Sequence, residues 1–333
     1  MKNRILVTGS EGFIGSHLVE LLVRKKHNVR AFVQYNSFNS IGWLEDLPNN
    51  IRDKLDIYFG DIRDFDSINF ATRGCSKVLH LAALIAIPYS YRSPRSYIDT
   101  NIHGTYNVLQ AANENKIKKV VHTSTSEVYG SAQFVPITEK HPLVGQSPYA
   151  ASKIGADQMA IAFNKSYKTP VIIVRPFNAF GPRQSVRAII PTIITQILSN
   201  KKNIHLGSLT PTRDFSFVED TCRGFLSAMN SQIDNADVFN IGSGKEISIN
   251  SLIKLIKKIT NSNIKVKTEK KRIRPSKSEV NRLLASNSKA KKFLKWGPKY
   301  AGLKGLELAL KKTIDWYKIE KNLKKFNSQK YTI

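Results

Sequence analysis

The sequence predicts a doubly wound α/β fold, in which helices cover both faces of a parallel sheet, with a smaller C-terminal α/β lobe attached. Three observations predict it. Apolar, β-branched runs alternate with helical periodicity from the first residues onward. The runs are continuous, as in Ile5-Leu6-Val7 and Val171-Ile172-Ile173-Val174, the pattern of strands buried on both faces. Past Arg175 the alternation loosens under Pro176, Gly181, Pro182, Pro191 and Pro211, which marks the start of a second unit.

In chain order, strands are predicted at residues 4–8, 29–33, 55–59, 78–81, 119–123 and 171–175, with a first helix opening at Phe13. One more strand, near 238–242, is expected to return to the sheet before a basic helical tail. A chain of 333 residues with 41% hydrophobic content can bury a core of that size.

The net charge of +27 is lopsided, because residues 251–333 hold 24 Lys and Arg against 5 Asp and Glu. Lys254, Lys257 and Lys258 interleave with Leu252, Ile253, Leu255, Ile256 and Ile259 at helical spacing, so the excess reads as a solvated helix face. A phosphate-rich small substrate is the next reading, ahead of nucleic acid or a membrane surface. Cys75 and Cys222 are far apart and belong to no CxxC, so neither a disulfide framework nor a metal site is expected, and a reducing, cytoplasmic location is. The basic, apolar start is broken at once by glycines and Glu11, which argues against export. The longest apolar stretches, 78–89 and 188–198, fall short of the roughly 18 to 20 residues that span a bilayer.

The strand at 4–8 runs into Gly9-Ser10-Glu11-Gly12-Phe13-Ile14-Gly15 and then a helix. Gly9 permits the tight turn, Gly12 lets backbone approach a pyrophosphate, and Gly15 lets helix and strand pack closely. This Rossmann-type pattern makes residues 1–180 a dinucleotide-binding domain, with 181–333 mainly a ligand-binding lobe. Asp61, just past the third strand, is placed to accept from an adenine amino group. The second strand ends Gln34-Tyr35-Asn36 without the carboxylate that would bind a ribose or an arginine that would bind a 2′-phosphate, so NAD and NADP both stay open.

Tyr149 and Lys153 stand at i and i+4 behind Pro148, on one face of a predicted helix. To act as a base the phenol must fall by about three units from its ordinary value, which a neighbouring ammonium and a nicotinamide cation are expected to supply. The strand at 119–123 runs into Ser124-Thr125-Ser126-Glu127, at the sheet edge where such folds bind ligands. There the Thr125 hydroxyl is placed to share a bond with a reacting hydroxyl, and Glu127 has no evident structural duty.

The segments TGSEGFIGSHL (8–18), HLAA (80–83), STSEVYG (124–130), YAASK (149–153), RPFNAFGPRQ (175–184), RDFSFVED (213–220) and RPSKSEVNRL (274–283) together resemble the extended short-chain dehydrogenases/reductases that modify nucleotide sugars. The Thr-Ser-Glu triplet resembles that of GDP-mannose 4,6-dehydratases and UDP-glucuronate decarboxylases; Ser126 stands where dTDP-glucose 4,6-dehydratases typically have Asp. LIAIPYSY (84–91), EKHPLVGQSPYAASKIGADQ (139–158) and SVRAIIPTIITQIL (185–198) look most like N-acetylhexosamine 4,6-dehydratases of the legionaminic acid pathway.

The resemblance implies a tightly held NAD or NADP touched by Phe13, Ile14, Ile62, Leu81, Ala82 and Ala83 as well as the glycines, Tyr149 and Lys153. It implies a UDP- or GDP-N-acetylglucosamine substrate and a 4-keto-6-deoxy product. Tyr149 would take the C4 hydroxyl proton as hydride leaves C4. Glu127 would take the C5 proton, Ser126 would steady the departing C6 hydroxyl, and hydride would return to C6. Arg213 and Arg274 are the expected phosphate contacts, with Asn178, Arg183 and Glu279 as further substrate contacts. A UDP-glucuronate decarboxylase, or another nucleotide-sugar epimerase or dehydratase, is the alternative. A homodimer is implied, built as a four-helix bundle from the helices near 97–115 and 149–166.

Overall fold

The computed structural model describes residues 4–199 and 201–326. Seven parallel strands form the main sheet: β1 (Arg4–Thr8), β2 (Asn28–Gln34), β3 (Asp56–Gly60), β4 (Cys75–His80), β5 (Lys119–Thr123), β6 (Val171–Pro176) and β7 (Asn235–Ile241). Their order is β7-β6-β5-β4-β1-β2-β3. The strand expected to return near 238–242 is β7, on the edge beside β6.

The continuous apolar runs follow from what covers the sheet. Ile5 and Val7 of β1, with Ile172 and Val174 of β6, face one cluster with helices α1 (Phe13–Arg24) and α5 (Val218–Asn230). Leu6, Val171 and Ile173 face the opposite cluster with α2 (Phe65–Thr72), α3 (Gly104–Glu114) and α4 (Pro148–Tyr167). Each such buried side chain contributes about 1.5–3 kcal/mol. The first cluster continues into the tail through Ile253 and Ile256 of α6 (Ile249–Thr260) and Leu310 and Ile314 of α7 (Gly302–Lys318).

Beyond β6 the small strands pair outside the main sheet: Thr212–Asp214 with Glu246–Ser248, and Asn203–Leu206 with Lys265–Thr268. On α6, Leu252, Ile253 and Ile256 are buried while Lys254 and Lys258 are exposed, so those charges form a solvated face. Both cysteines are free. Among the described residues no helix is long and apolar enough to cross a membrane, and no cluster of His, Cys, Asp and Glu has the makings of a metal site.

The strand order reverses beside β1, whose neighbours are β2 on one side and β4 on the other. Open sheets of this type hold ligands in the crevice at the carboxyl ends of their strands at that point.

Candidate active site

That crevice is a groove of about 760 Å³, lined from Gly9 at one end to Arg274 and Glu279 at the other. Its volume lies in the upper part of the range for small-molecule sites. Gly9, Gly12, Phe13, Ile14, Gly15, Asp61, Ile62, Leu81, Ala82 and Ala83 line the end beside β1.

The backbone there is packed to contact. Gly9 has φ +68°, and a Cβ on it would lie 2.8 Å from the Ala82 nitrogen. On Gly15 a Cβ would lie 2.0 Å from the Gly9 oxygen, so neither position accepts a side chain. Thr8 Oγ1 accepts from the amides of Leu81 and Ala82, both at 3.1 Å, which joins the ends of β1 and β4. Helix α1 starts behind Gly12, its N-cap residue, with no side-chain cap and no acidic residue in its first turn. Its first N–H groups are therefore left for an anion, as a dinucleotide pyrophosphate requires. Asp61 sits on the groove edge but is held bidentately by Arg63, its Oδ2 2.6 Å from Nη2. Glu11, which sequence reasoning passed over, puts Oε1 3.1 Å from the Gln34 amide, while its Oε2 is buried without a hydrogen-bond partner.

Further along the groove stand Thr125, Ser126, Glu127, Tyr149 and Lys153. Ser147 caps α4 by accepting from the Ala150 amide at 3.1 Å, and Pro148 follows as its first residue, so Tyr149 and Lys153 fall in the first two turns. Thr125 accepts from the Glu127 amide at 3.2 Å, which sets the carboxylate-bearing turn, and its hydroxyl lies close enough to the Tyr149 phenol to lower that group's pKa. Asn101 bonds Leu84 through both its amide atoms and donates to Ser152 at 2.9 Å. Ser152 in turn donates to the Tyr149 carbonyl at 2.7 Å, which fixes this turn of α4 against the wall of the groove.

The electrostatics differ from the expectation for the phenol. Burial pushes the Tyr149 phenol well above its ordinary value, with Thr125 drawing it down and Glu127 raising it further. Burial is the largest cause, and Glu127, Tyr97 and Asp157 add to it. Burial draws the Lys153 ammonium down to about 8, against Asp157, which holds it up. Beneath Lys153, one helical turn on, Asp157 is fully buried and was not anticipated. It accepts from Ser124 at 2.8 Å and from Arg175 at 2.8 Å, and bonds His122 at 3.2 Å. Burial alone would raise its pKa, but these partners, led by His122, hold it below the usual carboxylate value. The i+4 spacing from Lys153 was the available sequence signal.

At the far end Arg213 donates to Glu279 at 3.1 Å. Arg274 lies between two carboxylates, 3.8 Å from Glu127 and 3.9 Å from Glu279, and its Nη1 has no hydrogen-bond partner among the described residues. Asn178 also lines the groove, with a buried and unpartnered Nδ2. Arg183 is a correction. It does not line the groove; its guanidinium pairs with Glu20 of α1 at 2.8 Å and reaches Ser16 at 3.4 Å. It braces α1 against the chain after β6, from a backbone position with φ +68°.

A family model described as GDP-mannose 4,6 dehydratase matches residues 6–308. The chain belongs to this family of extended short-chain dehydrogenases/reductases. It is 33% identical over 321 residues to a putative UDP-glucose 4-epimerase of Methanocaldococcus jannaschii, covering 94% of this chain and 98% of the relative. The UDP-N-acetylglucosamine 4-epimerase of Methanobrevibacter ruminantium, solved with UDP-N-acetylmuramic acid, superposes with a TM-score of 0.84 at 31% identity over 95% of this chain and 99% of that one. A dTDP-glucose 4,6-dehydratase double mutant of Streptomyces venezuelae, solved with NAD, gives a TM-score of 0.82 at 28% identity over 96% and 98%. The protein is thus a nicotinamide-dinucleotide enzyme of the nucleotide-sugar dehydratase and epimerase family.

Proposed function

We propose that this extended short-chain dehydrogenase/reductase is a 4,6-dehydratase that converts UDP- or GDP-N-acetylglucosamine to its 4-keto-6-deoxy derivative, with a place in legionaminic acid synthesis. The observation that carries this reading is that one groove holds a carboxylate, Glu127, together with the Tyr149 phenol, near enough for its charge to raise the phenol's pKa. Exchange at C4 needs only the tyrosine and its partner. Elimination of water across C5 and C6 needs a second base, and Glu127 is that base.

When bound, the nicotinamide accepts and later returns the hydride. Tyr149 takes the C4 hydroxyl proton, with Thr125 bonded to the same oxygen. Lys153, at α4's second turn, favours the phenolate and holds the nicotinamide ribose. The C4 ketone acidifies C5–H, Glu127 removes that proton and delivers it to the C6 hydroxyl, which leaves as water beside Ser126, and C5 later regains a proton from the medium, to which Tyr149 gives up the one it took. Arg213 and Arg274 grip the diphosphate, with Asn178 and Glu279 on the nucleotide-sugar's hydroxyls and phosphates. Their present partners support that role, since Arg213 and Arg274 are held by carboxylates that an incoming diphosphate can displace. In this reading residues 1–180 serve the dinucleotide and 181–333 mainly the nucleotide sugar, within the cytoplasm. Two chains pair α3 and α4 into a four-helix bundle, which would cover Ile98 and Tyr106, both more than two-fifths exposed.

Incubation of the purified protein with UDP- or GDP-N-acetylglucosamine, without added cofactor, is expected to yield a product lighter by one water. Mass unchanged with both sugars ends this reading. Carbon dioxide released from UDP-glucuronate would favour the decarboxylase instead.

A further inference from the structure

The end of β2 is where folds of this kind usually place the carboxylate that reads the adenosine ribose, and here it carries Gln34, Tyr35 and Asn36. A carboxylate is nonetheless present at that place. Glu11, from the glycine turn, reaches the end of β2 and accepts from the Gln34 amide at 3.1 Å, on the groove wall shared with Gly60 and Asp61.

Its position is built rather than incidental. The Glu11 carbonyl accepts from the Trp43 amide at 3.1 Å, and Gly42 packs so closely that a Cβ there would lie 2.9 Å from the Glu11 Cβ. Only one of its acceptor positions is used by a neighbouring residue's amide, and Oε2 is buried with no partner. An ionised carboxylate accepts about four hydrogen bonds, so this one is short of donors. Burial accordingly raises its pKa, against the amides of Glu11 and Gln34. A guanidinium on this wall, Arg63, is committed to Asp61.

We propose that Glu11 selects the unphosphorylated dinucleotide: its carboxylate accepts from the adenosine ribose hydroxyls, in place of the missing acid of β2, and repels a 2′-phosphate. The proposal rests on the dinucleotide occupying the glycine-turn groove. A carboxylate that can only accept hydrogen bonds suits a vicinal diol and opposes a phosphate dianion.

The test is a competition. Wild type, Glu11→Gln, Glu11→Ser, Glu11→Asp and Arg63→Ala proteins are equilibrated with equal NAD and NADP, freed of unbound nucleotide and denatured, and the released dinucleotides are weighed by mass spectrometry. Wild type is expected to carry NAD over NADP by at least tenfold, and the Gln and Ser variants to lose about tenfold or more of that ratio. Glu11→Asp keeps part of it and Arg63→Ala all of it. Melting temperatures are compared alongside, and Glu11→Gln, which still accepts from the Gln34 amide, should fold as wild type does. An unchanged ratio in Gln and Ser, a ratio that follows Arg63, or a wild type loaded with NADP overturns the proposal. Wild type that retains neither nucleotide overturns the groove assignment as well, and with it the inference.

Discussion

On the groove wall formed by β1 and α1, the groups that face a ligand are backbone: Gly9 with φ +68°, Gly15 in contact with Gly9, and the uncapped start of α1. On the wall formed by residues 211–214 and 272–279 they are charged side chains, Arg213, Arg274 and Glu279, which neutralise one another. The first wall is rigid because glycine spacing leaves it no alternative. The second is held by ion pairs, and on the proposed function a diphosphate would replace them, so its affinity would depend on exchange of partners rather than on preformed fit. Tyr149 and Glu127 stand between the walls, at the junction of the two binding modes.

Changes at the junction are expected to have the largest effect. Tyr149→Phe and Glu127→Gln should each lower turnover about 10²- to 10⁴-fold with dinucleotide retention unchanged. The two should part in one measurement. On the proposed function Glu127→Gln leaves C4 oxidation intact and stops elimination, so with substrate it should accumulate reduced dinucleotide, read by its near-ultraviolet absorbance, which Tyr149→Phe should not. Absence of that accumulation in Glu127→Gln would assign the base elsewhere.

Arg274→Ala tests the side-chain wall. On the proposed function it removes a charged contact to phosphate, so KM for the nucleotide sugar should rise about 10- to 100-fold while the bound dinucleotide stays. A fall in dinucleotide retention would mean that the walls are not independent. Gly15→Ala tests the other wall, since its Cβ would meet the Gly9 oxygen at 2.0 Å. A shift of that contact should cost about 1–3 kcal/mol, read as a lower melting temperature, together with weaker dinucleotide binding.

The two walls were also unequally legible in the sequence. Glycine spacing after a strand encodes backbone shape directly, and the structure places Gly9 and Gly12 between β1 and α1 and Gly15 in the first turn of α1. The strands were legible for a related reason: Ile5 and Val7 face one helix layer and Leu6 the other, so burial on both faces writes itself as an unbroken apolar run. Charged side chains encode no such geometry. Arg183 and Arg213 look alike in sequence, yet one braces α1 through Glu20 and the other lines the groove, because the chain turns between them. Glu11 was masked by the glycines around it, and Asp157 by the low polarity contrast of α4, whose deeper face is visible only once β5 and β6 are beneath it.

The smallest expected effect belongs to Asp157, and it separates an electrostatic role from a purely structural one. Lys153 is the group at stake. Asp157 faces it from the same helix, His122 from β5 and His80 from β4, and burial leaves the ammonium at about 8 even with Asp157 holding it up. Activity that depends on the ammonium is present below that value and fades as pH rises through it. Removing the negative charge of Asp157 removes what holds the value up, so in Asp157→Asn the alkaline limb of kcat should move to lower pH. Asp157→Glu, which keeps the charge, should move it back toward wild type. The Asn side chain retains an acceptor for Ser124 and Arg175, so a merely structural role would lower activity at every pH and leave the limb in place. A limb unmoved in Asp157→Asn would show that Lys153 takes its charge state from the bound dinucleotide and not from the network below it.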